Sequence, residues 1–337
     1  MDSYLNLLRG LRRLFPCSVL LLGYFFANAA QAATSTCVYP NTAVSNVLVF
    51  TAPITTAGSR SLNTVLQSVA LQPGLAITST ADNIVETASV NGIPVPGFTN
   101  VYKTNLSGIG IKFQVTTGYN GGFSDAPFTN TFSKSTAGGS VHYVQAQLVV
   151  VGPIQSGILM SLPSMTVSFT GGCSNAPSAT WTVADGTAIN ALTCAVSASS
   201  KNVTVPLGLV KTSQFSGVGS TAGSANFNIV LENCSAGVNL FATFTDGNYP
   251  GNRSNALSLT NDAQVAHGVG IRIRTGGGAI VTYGPDSYLP GTLNQMALGQ
   301  STMGTMTIPF TASYVQTSAT ISSGIANGMA TFTLSYQ

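Results

Sequence analysis

The sequence carries little charge. Only 6% of its 337 residues are Asp, Glu, Lys or Arg, and it contains two histidines. Nucleic-acid-binding proteins cluster positive charge on one surface, and this sequence has no such cluster, so we expect no nucleic-acid partner. A disordered chain would be rich in charge and poor in apolar residues, whereas 44% of this sequence is hydrophobic. The chain is therefore expected to fold.

The groups that catalysis requires are also scarce. A hydrolase needs a nucleophile beside a base, or two close carboxylates. The sequence has no G-x-S-x-G motif and no acidic pair closer than Asp82 and Glu86. Its cysteines form no C-x-x-C motif and have no histidine nearby, which argues against a zinc site. The sequence predicts neither an enzyme nor a bound metal or other cofactor.

Long hydrophobic runs are missing except near the N-terminus. There, three arginines precede an apolar run over residues 14–26, which is shorter than the about 20 residues that a membrane-spanning helix needs. Small residues then lead to Ala30-Gln31-Ala32, which has the A-x-A pattern of a cleavage site. We interpret residues 1–32 as a signal peptide rather than a membrane anchor.

What is abundant is Thr, Val, Ser and Gly, a composition typical of an all-β protein with short strands and turns. A length of 337 residues leaves room for two hydrophobic cores. Cys17 lies in the leader, and the four remaining cysteines allow three pairings. We favour Cys37–Cys173 and Cys194–Cys234, because each of these bonds closes one half of the chain.

The first half, residues 33–186, is predicted to be a domain of short alternating strands. Apolar side chains recur at every second position in its clearest segments, and Gly, Pro and Asn punctuate the gaps. The segments are residues 45–51, 61–71, 109–115, 141–151 and 165–169. About eight such strands predict a β-sandwich or jelly roll.

Two segments of this half carry side chains suited to a sugar. Carbohydrate sites combine a carboxylate or amide that chelates hydroxyls with an aromatic face. The loop over residues 118–139 offers four such side chains, and a second acidic group lies near residue 82 together with Glu86. The candidates are Tyr119, Asn120, Asp125 and Asn130 in the loop, and Asp82 and Asn83 in the second group. The alternative is that these Asn and Asp side chains bond their own backbone in turns. His142 and Trp181 are interpreted as structural.

Residues 187–193 show no apolar periodicity and are predicted to be a linker. From Cys194 onward, alternating apolar residues predict strands at 203–207, 227–231, 269–273 and 308–314. The final strand begins at Ala330 and has one apolar face, formed by Ala330, Phe332, Leu334 and Tyr336. A terminal apolar strand of this kind risks edge pairing unless a partner covers it.

Residues 194–337 resemble a pilin domain of the chaperone–usher fimbrial pathway. The resemblance lies in two cysteines 40 residues apart, in Gly324 fourteen residues from the end, in the alternating residues after it and in the penultimate Tyr336. It implies an incomplete immunoglobulin-like fold that lacks its last strand. Gly324, Ala330, Phe332, Leu334 and Tyr336 would then border a groove that takes a strand from a periplasmic chaperone, and later one from an adjacent pilin subunit after passage through an outer-membrane usher.

Ordinary pilins of this pathway carry a donor strand ahead of their first cysteine, whereas this chain carries a whole domain there. That arrangement resembles the two-domain tip adhesins of the same pathway. The resemblance implies export through the periplasm to the fimbrial tip on the cell surface. The first domain would bind a surface receptor, and its loop composition favours a glycan. The alternative is a structural minor pilin that initiates or caps the fibre, whose first domain binds protein or no ligand.

Overall fold

The computed structural model describes residues 35–337, and the predicted signal peptide lies outside them. Those residues form twenty-three strands and two single turns of 3-10 helix, at Ala198–Ser200 and Thr212–Gln214. The prediction of an all-β protein is therefore confirmed. No helix among the described residues is long and apolar enough to cross a membrane.

Sixteen strands precede Cys194. They form two larger sheets, in the orders β10-β6-β14-β15-β2 and β4-β12-β8-β7 with β9 beside β8, and two three-stranded sheets, β1-β5-β11 and β13-β16-β3. Their bounds are β1 Cys37–Val38, β2 Val47–Leu48, β3 Ile54–Ala57, β4 Val65–Leu71, β5 Leu75–Ile77, β6 Ala81–Asn91, β7 Tyr102–Lys103, β8 Ile109–Thr116, β9 Phe123–Asp125, β10 Phe128–Lys134, β11 Gly138–Ser140, β12 Val144–Val150, β13 Gly157–Leu159, β14 Ser164–Gly171, β15 Ser178–Val183 and β16 Thr187–Leu192.

The first hydrophobic core lies between the two larger sheets. On β8, Ile111, Phe113 and Val115 are fully buried, and the residues between them are half-exposed, as the period-2 pattern predicts. β12 and β14 follow the same alternation. Trp181 on β15 is completely buried in this core. The first half is thus a β-sandwich.

The predicted linker is wrong for six of its seven residues. Residues 187–192 form β16, which pairs antiparallel with β13 and parallel with β3. Of the inward-facing residues Thr187, Ile189 and Ala191, only Ile189 has a large apolar side chain, so the apolar periodicity is weak in the sequence, but Ile189 and Ala191 point into the first core. Pairing with two neighbouring strands makes this segment regular. The first core therefore extends to Ala191, and the second begins at Cys194.

Seven strands follow. They are β17 Ala195–Val196, β18 Thr221–Cys234, β19 Asn239–Asp246, β20 Val269–Thr275, β21 Met296–Gln300, β22 Gly304–Gln316 and β23 Ala330–Tyr336. One sheet has the order β17-β18-β22-β20 and the other the order β21-β19-β23. Two facing antiparallel sheets of seven strands have the layering of an immunoglobulin-like domain.

The predicted strand over residues 203–207 is not formed. The segment pairs with no strand among the described residues. Pro206 also lacks a backbone N–H, which removes one donor from any ladder. Val205 and Leu207 nevertheless pack against the second core and are half-buried.

Both favoured disulfides are present. Cys37 is bonded to Cys173, and Cys194 is bonded to Cys234. The first bond joins β1 to the turn after β14, and the second joins the start of β17 to the end of β18. Each core thus has one disulfide of its own.

Candidate functional site

The predicted sugar loop is not a single loop. Residues 123–125 form β9, which pairs with β8, and residues 128–134 form β10, which pairs with β6 in the opposite sheet. Phe128 packs against the first core, and Phe123 lies beside Tyr143. Asp125 and Asn130 therefore lie in different sheets, whereas Tyr119 and Asn120 lie in the turn after β8.

Asp125 lies on the outer face of the β8 sheet. Its carboxylate accepts hydrogen bonds from Lys112 Nζ at 2.9 Å and from Gln114 Nε2 at 2.7 Å. The side chain is 32% exposed. Asp125 is thus a partly accessible acceptor that is held in place by a cation and an amide.

Tyr119 and Asn120 connect the turn after β8 to the segment around β11. The Tyr119 hydroxyl donates to the Gly139 carbonyl, and Lys134 Nζ lies 3.4 Å from the centre of the Tyr119 ring. Asn120 has a φ of 66°, and its side-chain oxygen accepts from Val141 N at 3.3 Å. Asparagine tolerates this left-handed conformation in turns. Both side chains bond backbone groups near β11, about 20 residues further along the chain, rather than the backbone of their own turn.

Asn130 lies close to the same turn, because a Cβ at Gly118 would come within 3.3 Å of its Nδ2, whereas the second group lies at the start of β6. Asn130 on β10 is half-buried and stands opposite Glu86 of β6. Asp82 and Asn83 are exposed at the start of β6, where Asn83 adopts a φ of 52° and its carbonyl accepts from Gly172 N at 3.1 Å. Because Glu86 is fully buried, the expected grouping of Asp82, Asn83 and Glu86 at one accessible site is wrong.

Glu86 instead belongs to a buried polar cluster. Its carboxylate accepts from Gly118 N at 2.5 Å and lies 2.9 Å from His142 Nε2. Both side chains are 0% exposed. The interpretation of His142 as a hydrogen-bonded structural residue is confirmed. Glu86 could have been recognised from its phase, because it shares the inner face of β6 with Ile84 and Ala88.

Aromatic rings enclose this pair. The Tyr39 ring centre lies 5.1 Å from that of His142, and Phe169 lies 5.6 Å from His142. Burial raises the pKa of the Tyr39 phenol, and the nearby Glu86 carboxylate raises it further. The Tyr39 hydroxyl and the Trp181 indole N–H have no hydrogen-bond partner within residues 35–337. The cluster is closed to ligands and fixes the turn above it.

The second candidate site is the open edge of β23. One side of β23 pairs with β19 over its whole length, and its other side pairs with no strand in the described part of the chain. The apolar face of β23 packs on the second core, as predicted, with Phe332 6.2 Å from the ring of Phe244. Yet its four apolar residues are only half-buried, whereas Ser335 on the opposite face is fully buried.

A groove of about 540 Å³ lies between residues 208–215 and residues 321–327, which precede β23 in the chain. Its apolar lining includes Leu209, Phe215, Val269, Tyr314, Ile321 and Ile325. Leu209 is 98% exposed. Leaving large apolar side chains half-exposed along an unpaired strand is unfavourable, so this edge is suited to receive another strand.

The Tyr336 side chain docks the end of β23. Its hydroxyl donates to the Cys194 carbonyl at 2.6 Å, beside the second disulfide, while the Tyr336 carbonyl accepts from Ser59 N at 3.0 Å. Burial raises the pKa of the Tyr336 phenol. The last strand thus contacts the residues that begin the second domain as well as the first domain itself.

Comparison with known proteins places these features in a family. The family described as "Fimbrial protein" matches residues 181–337. A type-1 fimbrial protein subunit of Serratia marcescens is 31% identical over 183 residues, which cover 53% of this chain and 98% of that protein. The chain belongs to the fimbrial protein family. Its recognition as a fimbrial protein from the residues after Cys194 is confirmed.

Fimbrial adhesins are among its relatives. The F17c-G fimbrial adhesin of Escherichia coli is 37% identical over 136 residues. That match covers 40% of this chain and 39% of the adhesin, so the chain spans about two fifths of this relative. The CupB6 tip adhesin of Pseudomonas aeruginosa aligns over 90% of this chain and 94% of its own, with 16% identity and a TM-score of 0.37.

Proposed function

We propose that this fimbrial protein is a tip adhesin of the chaperone–usher type. Its second domain would be held in the fibre by a strand from the adjacent pilin subunit, and its first domain would bind a surface receptor, which we take to be a glycan. Before assembly, a periplasmic chaperone would cover the same edge, and an outer-membrane usher would export the subunit to the cell surface. The proposed role is binding rather than catalysis.

The half-exposed apolar face of β23 is the observation that carries the proposal. An added strand would pair with the free edge of β23 and bury Phe332 and Leu334, which is the mode of recognition known as β-strand addition. The residues directly before Cys194 could have served as a donor strand for a neighbour, but they are built into the first domain as β16. A subunit that accepts a strand beside β23 but offers no donor strand of its own would be placed at the end of a fibre.

The experiment is co-purification of the full chain with the fimbrial chaperone of the same bacterium. Lysine at Phe332 and Leu334 places charge on the face that the chaperone strand would cover, so we expect recovery of the complex to be lost. Lysine at the exposed Thr331 of the same strand is the control and should leave recovery unchanged. Equal recovery of both variants would contradict the proposed mode of capture.

A second candidate function is that of a structural minor pilin. It is favoured by the contacts of Tyr119 and Asn120, whose side chains are engaged by backbone groups of the same domain. In that case the full chain would still enter fibres, but adhesion of the fibres to glycan-coated surfaces would be the same with and without the chain.

A further inference from the structure

The outer face of the β8 sheet carries a row of polar side chains. Residues that stand opposite each other in neighbouring strands point to the same face. Gln114 on β8 stands opposite Asp125 on β9 and opposite Gln145 on β12, and Lys112 stands opposite Gln147. All five side chains are half-buried, so each offers part of its polar group to solvent.

Two aromatic rings border this row. Phe123 on β9 stands opposite Thr116 and is 45% exposed. Tyr143 comes directly before β12 and is half-buried, and its backbone N–H donates to the Thr116 hydroxyl at 2.8 Å. The ring centres of Phe123 and Tyr143 are 6.2 Å apart, with 43° between their planes. An exposed phenylalanine beside a tilted tyrosine offers an aromatic surface next to the amides.

The polar groups are fixed and their charges are matched. The Lys112 ammonium lies 2.9 Å from Asp125, whose other oxygen accepts from Gln114 at 2.7 Å. Gln147 Nε2 lies 3.3 Å from the Gln145 side-chain oxygen. Lys112 and Asp125 thus hold one positive and one negative charge in contact, and the other polar groups of the row are neutral amides. Lys103 is a further exposed cation on the same face, opposite Gly110 at the β7 edge. Such a surface complements a neutral polar ligand rather than an anionic or cationic one.

The chemistry of the face narrows the ligand further. Amide and carboxylate groups can donate to and accept from neighbouring hydroxyls, and an aromatic ring can cover a face of C–H groups. A protein partner would bury a core of large apolar side chains at its interface, and among the residues of this row and its two bordering aromatics only Phe123 exposes more than a third of its surface. Strands also hold side chains more rigidly than loops do, which favours a preorganised site.

We infer that the face formed by Lys112, Gln114, Phe123, Asp125, Tyr143 and Gln145 binds a neutral carbohydrate, with a sugar ring against Phe123 and Tyr143 and its hydroxyls on the amides. This inference rests on the proposed glycan-binding function and gives that function a location. It keeps Asp125 from the predicted site and replaces Tyr119, Asn120 and Asn130 with residues of β8, β9 and β12.

The test is binding of the full secreted chain to an array of immobilised neutral and sialylated oligosaccharides. Phe123→Ala and Gln145→Ala should each weaken binding to neutral oligosaccharides by about tenfold, the effect of losing one aromatic or hydrogen-bonding contact of about 1.4 kcal/mol. Tyr249→Ala is the matched aromatic control, because that ring is 61% exposed in the second domain. Asp82→Ala tests the other predicted group. Unchanged Trp181 fluorescence would show that each variant is folded.

The possible results separate this site from the broader proposal. Loss of binding in Phe123→Ala and Gln145→Ala, with Tyr249→Ala and Asp82→Ala unaffected, would support the site. Undiminished binding in both face variants would overturn the site and leave a glycan adhesin standing. Preferential binding of sialylated oligosaccharides would also overturn it, because the Lys112 charge within the site is already matched by Asp125. A silent array with the folded wild-type chain would overturn both the site and the glycan-binding function.

Discussion

At the scale of single residues, the first domain depends on a buried carboxylate. Glu86 accepts the Gly118 N–H and contacts His142, and both side chains are fully buried. A buried polar group that loses its partner bears the cost of desolvation without compensation. The same contact fixes Gly118, the first residue of the turn that carries Tyr119 and Asn120.

Replacing Glu86 with alanine should lower the free energy of unfolding of the first domain by about 3 kcal/mol, because His142 and the Gly118 N–H lose their acceptor. Urea denaturation followed by fluorescence is a selective measurement, since Trp181 is the only tryptophan and lies in the first core. Asp82→Ala, at an exposed position of the same strand, should change the value by no more than about 0.5 kcal/mol. Similar losses in the two variants would contradict the role of the buried contact.

A second buried carboxylate lies at the end of β19 in the other domain. Asp246 is 1% exposed. Its oxygens accept from the backbone N–H groups of Asn248 and Tyr249 and, at 2.8 and 2.9 Å, from Asn252 Nδ2 and Ser258 N. Burial alone would raise its pKa, but these hydrogen bonds outweigh burial and hold the pKa below the ordinary value of 3.8.

This lowered pKa predicts acid sensitivity of the second domain. The folded state binds the Asp246 proton less tightly than the unfolded state, so the stabilisation is complete above pH 3.8 and is lost as the pH falls through the lower folded value. Asp246→Asn should unfold at a lower temperature at neutral pH and show a smaller further decrease in acid. Calorimetry at a series of pH values measures both effects. Asp262→Asn, at an exposed position, is the control, and an equal pH dependence in wild type and Asp246→Asn would contradict the assignment.

At the scale of elements, the approach to β23 depends on a glycine. Gly324 lies against the backbone of residues 264–266, where a Cβ would come within 2.4 Å of the Gln264 carbonyl oxygen. Ile325 N donates to that carbonyl at 2.7 Å, and Ala266 N donates to the Ile325 carbonyl at 2.9 Å. The glycine that the sequence singles out by its distance from the end is therefore required by the close approach of two backbones.

Gly324→Ala should destabilise the second domain by about 1–3 kcal/mol, the usual range for overpacking. The added methyl group must push residues 321–327 away from residues 264–266 and weaken the two hydrogen bonds between them. The melting temperature of the second domain is the measurement. Gly277→Ala is the matched control, because its Cβ would meet nothing closer than 3.8 Å. A Gly324→Ala variant as stable as the control would show that the backbones can separate freely.

Strands with strict alternation could be predicted from the sequence, and sites that depend on pairing could not. Ile109–Thr116 and Ala330–Tyr336 were predicted closely because one face of each strand packs on a core. The segment 203–207 alternates equally well but finds no partner strand, whereas residues 187–192 alternate weakly and gain two. The loop candidates were misplaced for the same reason, since the sequence does not reveal that β9 and β10 pair with different sheets.

At the scale of the whole molecule, the two cores are built as separate units. Every member of the first core precedes Cys194, every member of the second follows it or is Cys194 itself, and each core contains one disulfide. Few residues separate the last strand of the first core from the first strand of the second, and Ser235 N donates to the carbonyl of the intervening Thr193.

Removing the second disulfide should therefore affect one domain. The Cys194→Ser/Cys234→Ser double variant loses a closure of 40 residues, which is worth about 4 kcal/mol in the chain-entropy model. We expect the calorimetric transition of the second domain to move to lower temperature. The free energy of unfolding of the first domain, followed by Trp181 fluorescence, should stay within about 0.5 kcal/mol of wild type. A matched shift of both signals would show that the domains unfold as one unit.

The parallel pairing of β16 with β3 determines how a tensile force enters the first domain. A fibre that pulls on the second domain while a receptor holds the first must transmit the load through Thr193 into β16, along the axis of that strand. The evenly spaced hydrogen bonds between Ile189–Leu192 and Ile54–Ala57 then resist the pull together, in shear, instead of opening one after another. Resistance to forced unfolding is set by the unfolding rate. We therefore expect the parallel pair of β16 and β3 to make forced unfolding of the first domain slow.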